Sequence, residues 1–184
     1  DLGIQLSTVN TCTLTAWVRP DSLRAGIGAA SRNGILGAAD GKLTLALQDQ
    51  GKLVAVWDKA GELQTLITDD AVVSAGEWAF VAFVRDENSG ALYVNGIQVK
   101  GTNAFPADAF STIGAMEMGR CDGDSLRSFD GLLDDVRIYN TALSNEDLLD
   151  LIPPLILKQP TDTTVSESEV ASFSVLANGR NIAY

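Results

Sequence analysis

Short segments of alternating apolar and polar residues, separated by turn-forming residues, constrain the fold of this chain more than any other feature. Residues 14–19 alternate and stop at Pro20. Residues 43–47 and 53–57 flank a turn at residues 49–51. Successive side chains of a strand point to opposite faces, whereas an amphipathic helix repeats about every 3.6 residues. Segments of this length and pattern therefore predict β-strands joined mainly by short turns.

The dipeptide Asn95-Gly96 predicts a two-residue β-hairpin between residues 91–94 and 97–99. Both residue types tolerate the positive φ angles that such a turn requires. Further segments rich in β-branched and aromatic residues predict strands at residues 63–68, 78–85, 115–120 and 132–139.

One short helix follows the predicted strands. Ser144 is a favourable N-cap, and Glu146 and Asp147 in the first turn favour the positive end of the helix dipole. Pro153 and Pro154 end the helix. About a dozen strands with one helix predict an all-β fold of two packed antiparallel sheets, because a parallel sheet needs repeated crossover helices.

The sequence changes character after the two prolines. Residues 155–160 predict an opening strand, and residues 171–177 alternate strictly. Two or three strands are too few to form a sandwich of their own. We therefore expect one complete domain over residues 1–152, then a linker and a truncated β domain over residues 153–184.

Charge and composition exclude several classes of function. The net charge of −11 leaves no basic surface for nucleic-acid phosphates or anionic lipids. The sequence has no run of about twenty apolar residues, so membrane insertion is not expected. It contains no histidine, which removes Ser-His-Asp and Cys-His nucleophiles and imidazole ligands for zinc.

The two cysteines, Cys12 and Cys121, leave two alternatives open. In an oxidising compartment they form one disulfide that closes a long loop. Otherwise they are two buried free thiols. Their spacing matches no zinc or redox motif.

Five blocks of the sequence occur in an order typical of one domain family. They are LTAWVRP at residues 14–20, GEWAFVAF at 76–83, LYVNG at 92–96, FDGLLDDVRIYN at 129–140 and TALSNED at 141–147. As a set they resemble laminin-G-like domains of the concanavalin A-like lectin/glucanase superfamily. The resemblance implies a jelly-roll sandwich with one short C-terminal helix.

The tail carries a second resemblance. Its Gln159-Pro160 pair, the Thr164-Val165 pair and the segment at residues 173–175 are similar to the opening of bacterial immunoglobulin-like repeats. The resemblance implies a large, secreted or cell-surface bacterial protein in which neighbouring domains of the same chain are partners.

A run of acidic residues is the candidate metal site. Five aspartates fall within fourteen residues: Asp122, Asp124, Asp130, Asp134 and Asp135. Calcium takes six to eight oxygen ligands. The laminin-G resemblance implies Asp134 as a ligand of a structural calcium, and Asp122 with Asp124 is a candidate second loop site. The alternative is solvated or paired carboxylates, with Asp135 and Arg137 in an ion pair because they share one strand face.

The tryptophans suggest a ligand site. Trp17 and Trp78 occupy positions where the resembled family buries core aromatics, so both are expected in the core. Trp57 is expected at a strand end next to Asp58, hence at a rim. Sugar rings stack on aromatic faces while carboxylate and amide groups bind hydroxyls, so Trp57, Asp58 and Gln48 are the candidate glycan site. Packing of Trp57 beneath a loop is the alternative.

Catalysis finds little support. The Glu-x-Asp-x-x-Glu signature of jelly-roll glucanases is absent, and the strand-borne Glu117 has no second carboxylate near it in sequence. We expect a non-catalytic module that binds a glycan or glycoprotein, with calcium as a candidate cofactor. A structural or adhesion spacer is the alternative, and a glycoside hydrolase is disfavoured.

Overall fold

The computed structural model describes residues 11–59, 61–102, 114–121 and 125–178 of the 184-residue chain. The chain divides into two units, Asp1–Leu143 and Ser144–Tyr184. The domain boundary expected after residue 152 stays a prediction.

The described part of the first unit contains ten strands. They are β1 (Thr11–Pro20), β2 (Asn33–Ala38), β3 (Leu43–Gln48), β4 (Lys52–Lys59), β5 (Glu62–Ile67), β6 (Ala79–Asp86), β7 (Ser89–Val94), β8 (Ile97–Thr102), β9 (Met116–Met118) and β10 (Gly131–Tyr139). One sheet has the order β10-β1-β6-β7-β8 and the other β5-β4-β3-β2-β9. Every pairing between these strands is antiparallel, which confirms the predicted all-β, two-sheet fold.

The core lies between the two sheets, and period-two alternation decides which residues enter it. Leu14, Ala16 and Val18 of β1 are fully buried in the same cluster as Phe83 of β6 and Leu45 of β3. The residues between them on β1 therefore project to the outer face of the β10-β1-β6-β7-β8 sheet. That outer face carries the candidate site described below.

Turn chemistry confirms the β7–β8 hairpin. Asn95 and Gly96 have φ angles of 50° and 77°, as a two-residue turn of this kind needs. Strand β2 was not predicted, because every residue of Asn33–Ala38 is buried. A strand buried on both faces shows no apolar–polar alternation and is hard to recognise from sequence.

The second unit begins with the predicted helix, α1 (Asn145–Asp150). Ser144 caps it, and Asp147 completes a reciprocal capping box. Within the described ranges, no helix has the length and apolar character needed to cross a membrane.

The rest of the second unit is a two-stranded antiparallel sheet of β11 (Leu155–Lys158) and β12 (Leu176–Asn178). The strand predicted at residues 171–177 is wrong over residues 171–175, where the side chains are exposed and no strand forms. Phe173, for example, is 65% exposed. Alternation produces a strand only where a partner strand supplies hydrogen bonds. The immunoglobulin-like character of this segment stays a prediction.

Candidate functional site

Trp57 lies in the core and not at a rim. It is 5% exposed, and its ring stacks on Phe83 with centroids 6.2 Å apart and an interplanar angle of 16°. Strand β4 continues to Lys59, so Trp57 does not end the strand, and its register partner is Leu43 of β3. This burial contradicts the prediction that Trp57 presents its ring to a glycan.

Asp58 and Gln48 do not join Trp57 either. Adjacent strand residues project to opposite faces, so Asp58 points away from the Trp57 ring. Gln48 pairs with Lys52, six residues along β4 from Asp58, which is about 20 Å at 3.3 Å per residue. Asp58 and Gln48 are both buried. Trp57 therefore lies on the opposite sheet face from Asp58 and Gln48, and these two are far apart along the strand, so the three residues do not form one site.

The tryptophans expected in the core face outward instead. Trp78 is 45% exposed, and Trp17 is half-buried on the outer face of β1. Trp78 immediately precedes β6, which starts at Ala79. The alternation of side chains along β1 could have predicted that Trp17 faces outward, because Ala16 and Val18 on either side of it enter the core.

Asp134 stands directly opposite Trp17. The register between β1 and β10 pairs Thr15 with Arg137 and Trp17 with Asp134, so β10 contains one extra residue in a β-bulge. Within the bulge Asp135 has a φ angle of 47°. The Asp134 carboxylate accepts a hydrogen bond from the Asp135 N–H at 2.8 Å and is exposed.

Two hydrogen bonds hold the loop that presents Trp78. The N–H of Gly76 donates to the carbonyl of Pro20 at 2.7 Å. The Nε–H of Arg19 donates to the carbonyl of Gly76 at 2.9 Å. The loop is thus fixed to the end of β1, the strand that carries Trp17.

Trp17, Trp78 and Asp134 together line a shallow depression of about 280 Å³ on this outer face. We call it the Trp17–Trp78 depression. Two indole rings offer apolar faces, and one carboxylate accepts hydrogen bonds. This combination suits a small ligand with both apolar C–H faces and hydroxyl or amine donors.

Arg19 of β1 and Arg137 of β10 both bind other groups of the protein. Arg137 donates to both carboxylate oxygens of Asp135 at 2.7 Å and to the Tyr139 hydroxyl at 3.4 Å. These hydrogen bonds, chiefly that with Asp135, raise the pKa of Arg137. The predicted Asp135–Arg137 ion pair is confirmed. Arg19 contacts Gly76 and lies 3.8 Å from the Asp21 carboxylate.

The predicted metal ligands lie only partly within the described residues. Asp122 and Asp124 lie outside the described residues. Within the described ranges, no group of three or more acidic, cysteine or histidine side chains gathers as a metal would require. Asp130 accepts a hydrogen bond from the Ser22 hydroxyl. Calcium at Asp134, Asp122 and Asp124 stays a prediction.

Cys12 and Cys121 are buried and are not joined in a disulfide, so the structure corresponds to the second alternative, two buried thiols. Burial raises the pKa of Cys12 to about 12, and the neighbouring Arg85 opposes this only in part. The thiol is protonated at neutral pH and is a poor nucleophile.

Glu117, the strand-borne glutamate of β9, is bound by Arg120. Arg120 donates to both oxygens of the Glu117 carboxylate, through Nε at 2.8 Å and through a second N–H. The hydrogen bond from Arg120 lowers the pKa of Glu117. A carboxyl group held ionised in this way is unsuited to the role of general acid.

Comparison with known families and structures places this fold. Residues 2–149 match a laminin G family model described as the concanavalin A-like lectin/glucanases superfamily. The chain belongs to this superfamily. A comparison with curated proteins gave no match.

Several solved structures share the fold at low identity. A provisionally assigned carbohydrate binding protein from Bacteroides ovatus ATCC 8483 is 21% identical, with a TM-score of 0.63 over 80% of this chain. The match covers only 41% of that protein, so the chain spans less than half of its length.

Two further neighbours are modules of larger enzymes. Domain 4 of AbnA, a GH43 extracellular arabinanase from Geobacillus stearothermophilus in complex with arabinotriose, is 23% identical, with a TM-score of 0.60 over 81% of this chain and 71% of that one. The CBM40 of the Ruminococcus gnavus IT-sialidase bound to α2,3 sialyllactose is 18% identical, with a TM-score of 0.61 over 83% and 97%.

Proposed function

We propose that the first unit is a non-catalytic carbohydrate-binding module of a secreted or cell-surface protein, and that the Trp17–Trp78 depression is its binding site. The observation that carries the proposal is the meeting of two outward-facing indoles with one carboxylate on a single sheet face. Apolar rings with a few placed polar groups are typical of small-ligand sites.

Each wall of the depression has a chemical role in this proposal. The C–H face of a sugar ring packs on the indoles of Trp17 and Trp78, which removes apolar surface from water. The Asp134 carboxylate accepts hydrogen bonds from sugar hydroxyls. The β10 bulge positions Asp134, and the hydrogen bonds of Gly76 to Pro20 and Arg19, here called the Gly76 anchor, position Trp78 before the ligand arrives. This lowers the entropy cost of binding.

The solved structures with a similar fold support a carbohydrate as the ligand. Domain 4 of the arabinanase is in complex with arabinotriose, and the sialidase CBM40 is bound to sialyllactose. The arabinanase is extracellular, which supports a secreted location for this chain. Neighbouring domains of the same protein are proposed partners, because both of these similar structures are modules of larger enzymes.

A non-catalytic role is supported by the chemistry of the described residues. The sequence has no histidine, the Glu117 carboxylate is bound by Arg120, and the Cys12 thiol is buried. Calcium is retained as a proposed structural cofactor. Asp134 is its proposed ligand among the described residues, and Asp122 with Asp124 is a proposed second loop site.

Affinity for a single sugar should be low. The depression is shallow, so one face of a bound ring stays in water and less apolar surface is buried. We expect a Kd on the order of 0.1–1 mM for a monosaccharide, which corresponds to about −4 to −5.5 kcal/mol. Longer oligosaccharides that contact both indoles bind more tightly.

A glycan array probed with the full chain, with calcium and with chelator, tests this function. We expect a coherent set of related glycans to bind. An array without any specific binder would contradict the proposal and favour the alternative, a structural or adhesion spacer.

A further inference from the structure

Resting on the proposed function, we infer that the Trp17–Trp78 depression selects saccharides that carry no acidic group. The ligand class is neutral and amino sugars, and glycans that end in sialic or uronic acids are excluded. The inference comes from the charge of the depression and from the state of the cations around it.

Among the described residues, Asp134 is the charged side chain that lines the depression. An ionised carboxylate accepts hydrogen bonds and cannot donate them. It therefore pairs with hydroxyl or ammonium groups and repels a second carboxylate. At a separation of about 4 Å, repulsion between two unit charges weakens binding by about five- to tenfold even in a well-solvated setting.

Among the described neighbours of Asp134 on β10 and β1, no protein cation is free to offset this repulsion, and the test below is read in chelator so that no calcium ion at Asp134 offsets it either. Arg137 holds both oxygens of Asp135 and contacts the Tyr139 hydroxyl. An acidic sugar would have to displace the Asp135 carboxylate to reach it, losing a bidentate pair. Arg19 is bound to the Gly76 carbonyl, and that contact positions Trp78.

The indoles add to the same preference. An ammonium group within about 6 Å of an indole face is attracted by the ring quadrupole. An amino sugar that places its ammonium beside Asp134 gains both this attraction and a charge-assisted hydrogen bond. Amino sugars should therefore bind at least as tightly as their neutral counterparts.

The sialidase CBM40 with a similar fold is bound to sialyllactose, so the shared fold does not itself exclude acidic sugars. In this chain the exclusion depends on Asp134.

The test uses one glycan array with neutral, amino, uronic and sialylated members, read in chelator at low and at high NaCl. It compares the natural chain with Asp134→Asn and with Asp86→Asn. The amide that replaces the Asp134 carboxylate retains an acceptor oxygen for the Asp135 N–H, so the fold should be preserved. Asp86 is an exposed residue at the far end of β6, so its replacement removes the same charge away from the site.

We expect acidic glycans to bind at least fivefold more weakly than matched neutral ones. Asp134→Asn and high salt should narrow this gap, and Asp86→Asn should leave it unchanged. Strongest binding to sialylated or uronic glycans, or a gap unaffected by Asp134→Asn, would overturn the inference while leaving carbohydrate binding intact. If no glycan of any class binds, the proposed function fails and the inference fails with it.

Discussion

The indole of Trp17 meets the phenyl ring of Phe80 edge to face, with ring centroids 5.7 Å apart and planes inclined by 64°. Phe80 is the register partner of Trp17 on β6 and is itself almost fully buried. Edge-to-face pairs contribute about 0.5–1.5 kcal/mol beyond their buried area. Phe80 thus supports the ring that forms one wall of the Trp17–Trp78 depression and limits its motion before a ligand binds.

Replacement of Trp57 should affect stability and leave sugar binding intact. Trp57→Ala removes a core ring stacked on Phe83, and such truncations cost about 3–5 kcal/mol. The free energy of unfolding, measured with denaturant, should fall by about this amount. Trp57→Phe should lose less because part of the ring volume remains. Lost sugar affinity with unchanged stability would contradict the core position of Trp57.

Gly76 should matter for binding beyond its effect on stability. Its φ angle is 80°, and an added Cβ would meet no atom within 4 Å. Gly76→Ala therefore costs about 1–2 kcal/mol from backbone strain alone and shifts the loop that presents Trp78.

Gly61 provides a matched control, with a φ angle of 89° and equally open space, in the turn before β5. Gly61→Ala should lose similar stability and keep full sugar affinity. Equal affinities for the two variants in calorimetric titrations would show that the Gly76 anchor does not position Trp78.

The Glu117–Arg120 ion pair should make the free energy of unfolding depend on pH in the acid range. Hydrogen bonding to Arg120 holds the pKa of Glu117 below its ordinary value of 4.5. As the pH falls, Glu117 is therefore protonated at a higher pH in the unfolded chain than in the folded protein. The stabilisation present above pH 4.5 is lost as the pH falls through the lower pKa of the folded state.

The measurement is the free energy of unfolding between about pH 3 and pH 7 for the natural chain and Glu117→Gln. The variant should be less stable at neutral pH and show a shallower loss toward acid. Glu62→Gln, at an exposed position of β5, serves as the control. Parallel curves for the natural chain and Glu117→Gln would rule out the linkage.

Calcium should raise the melting temperature if it binds at Asp134 or at the second loop site of Asp122 and Asp124. A ligand that binds only the folded state stabilises by RT ln(1 + [L]/Kd). We predict a higher Tm in millimolar calcium than in chelator, and a smaller difference in Asp134→Asn or in an Asp122→Asn, Asp124→Asn double variant. Identical melting curves in calcium and chelator would contradict the binding of calcium to the folded protein.

The sequence determined most of the sheet architecture because most strands have a clear period-two pattern, as in β1, and because turn residues such as Asn95-Gly96 set the hairpins. Prediction from the sequence failed where a segment shows no alternation of apolar and polar residues. Every residue of β2 is buried, so its segment has no alternation. The five residues 53–57 are likewise all apolar and all buried, so their pattern does not reveal which face Trp57 joins.

The candidate site was missed for a related physical reason. Whether a strand residue faces the core depends on pairing with distant strands, which places Trp17 between Asp134 of β10 and Phe80 of β6. The bulge at Asp135 adds a residue that no local pattern indicates, and it sets which aspartate stands beside Trp17. Asp134 was selected from the sequence as a metal ligand, a role that stays a prediction, whereas its neighbours in the structure are indoles.

A calorimetric titration of the best-binding array glycan into the natural chain and into Trp78→Ala tests carbohydrate binding at the depression most directly. Phe173→Ala serves as the control, because Phe173 is an exposed aromatic residue of the second unit. We predict that Trp78→Ala weakens binding at least tenfold without lowering the melting temperature, whereas Phe173→Ala binds like the natural chain. Unchanged affinity in Trp78→Ala would contradict the assignment of the Trp17–Trp78 depression as the sugar-binding site.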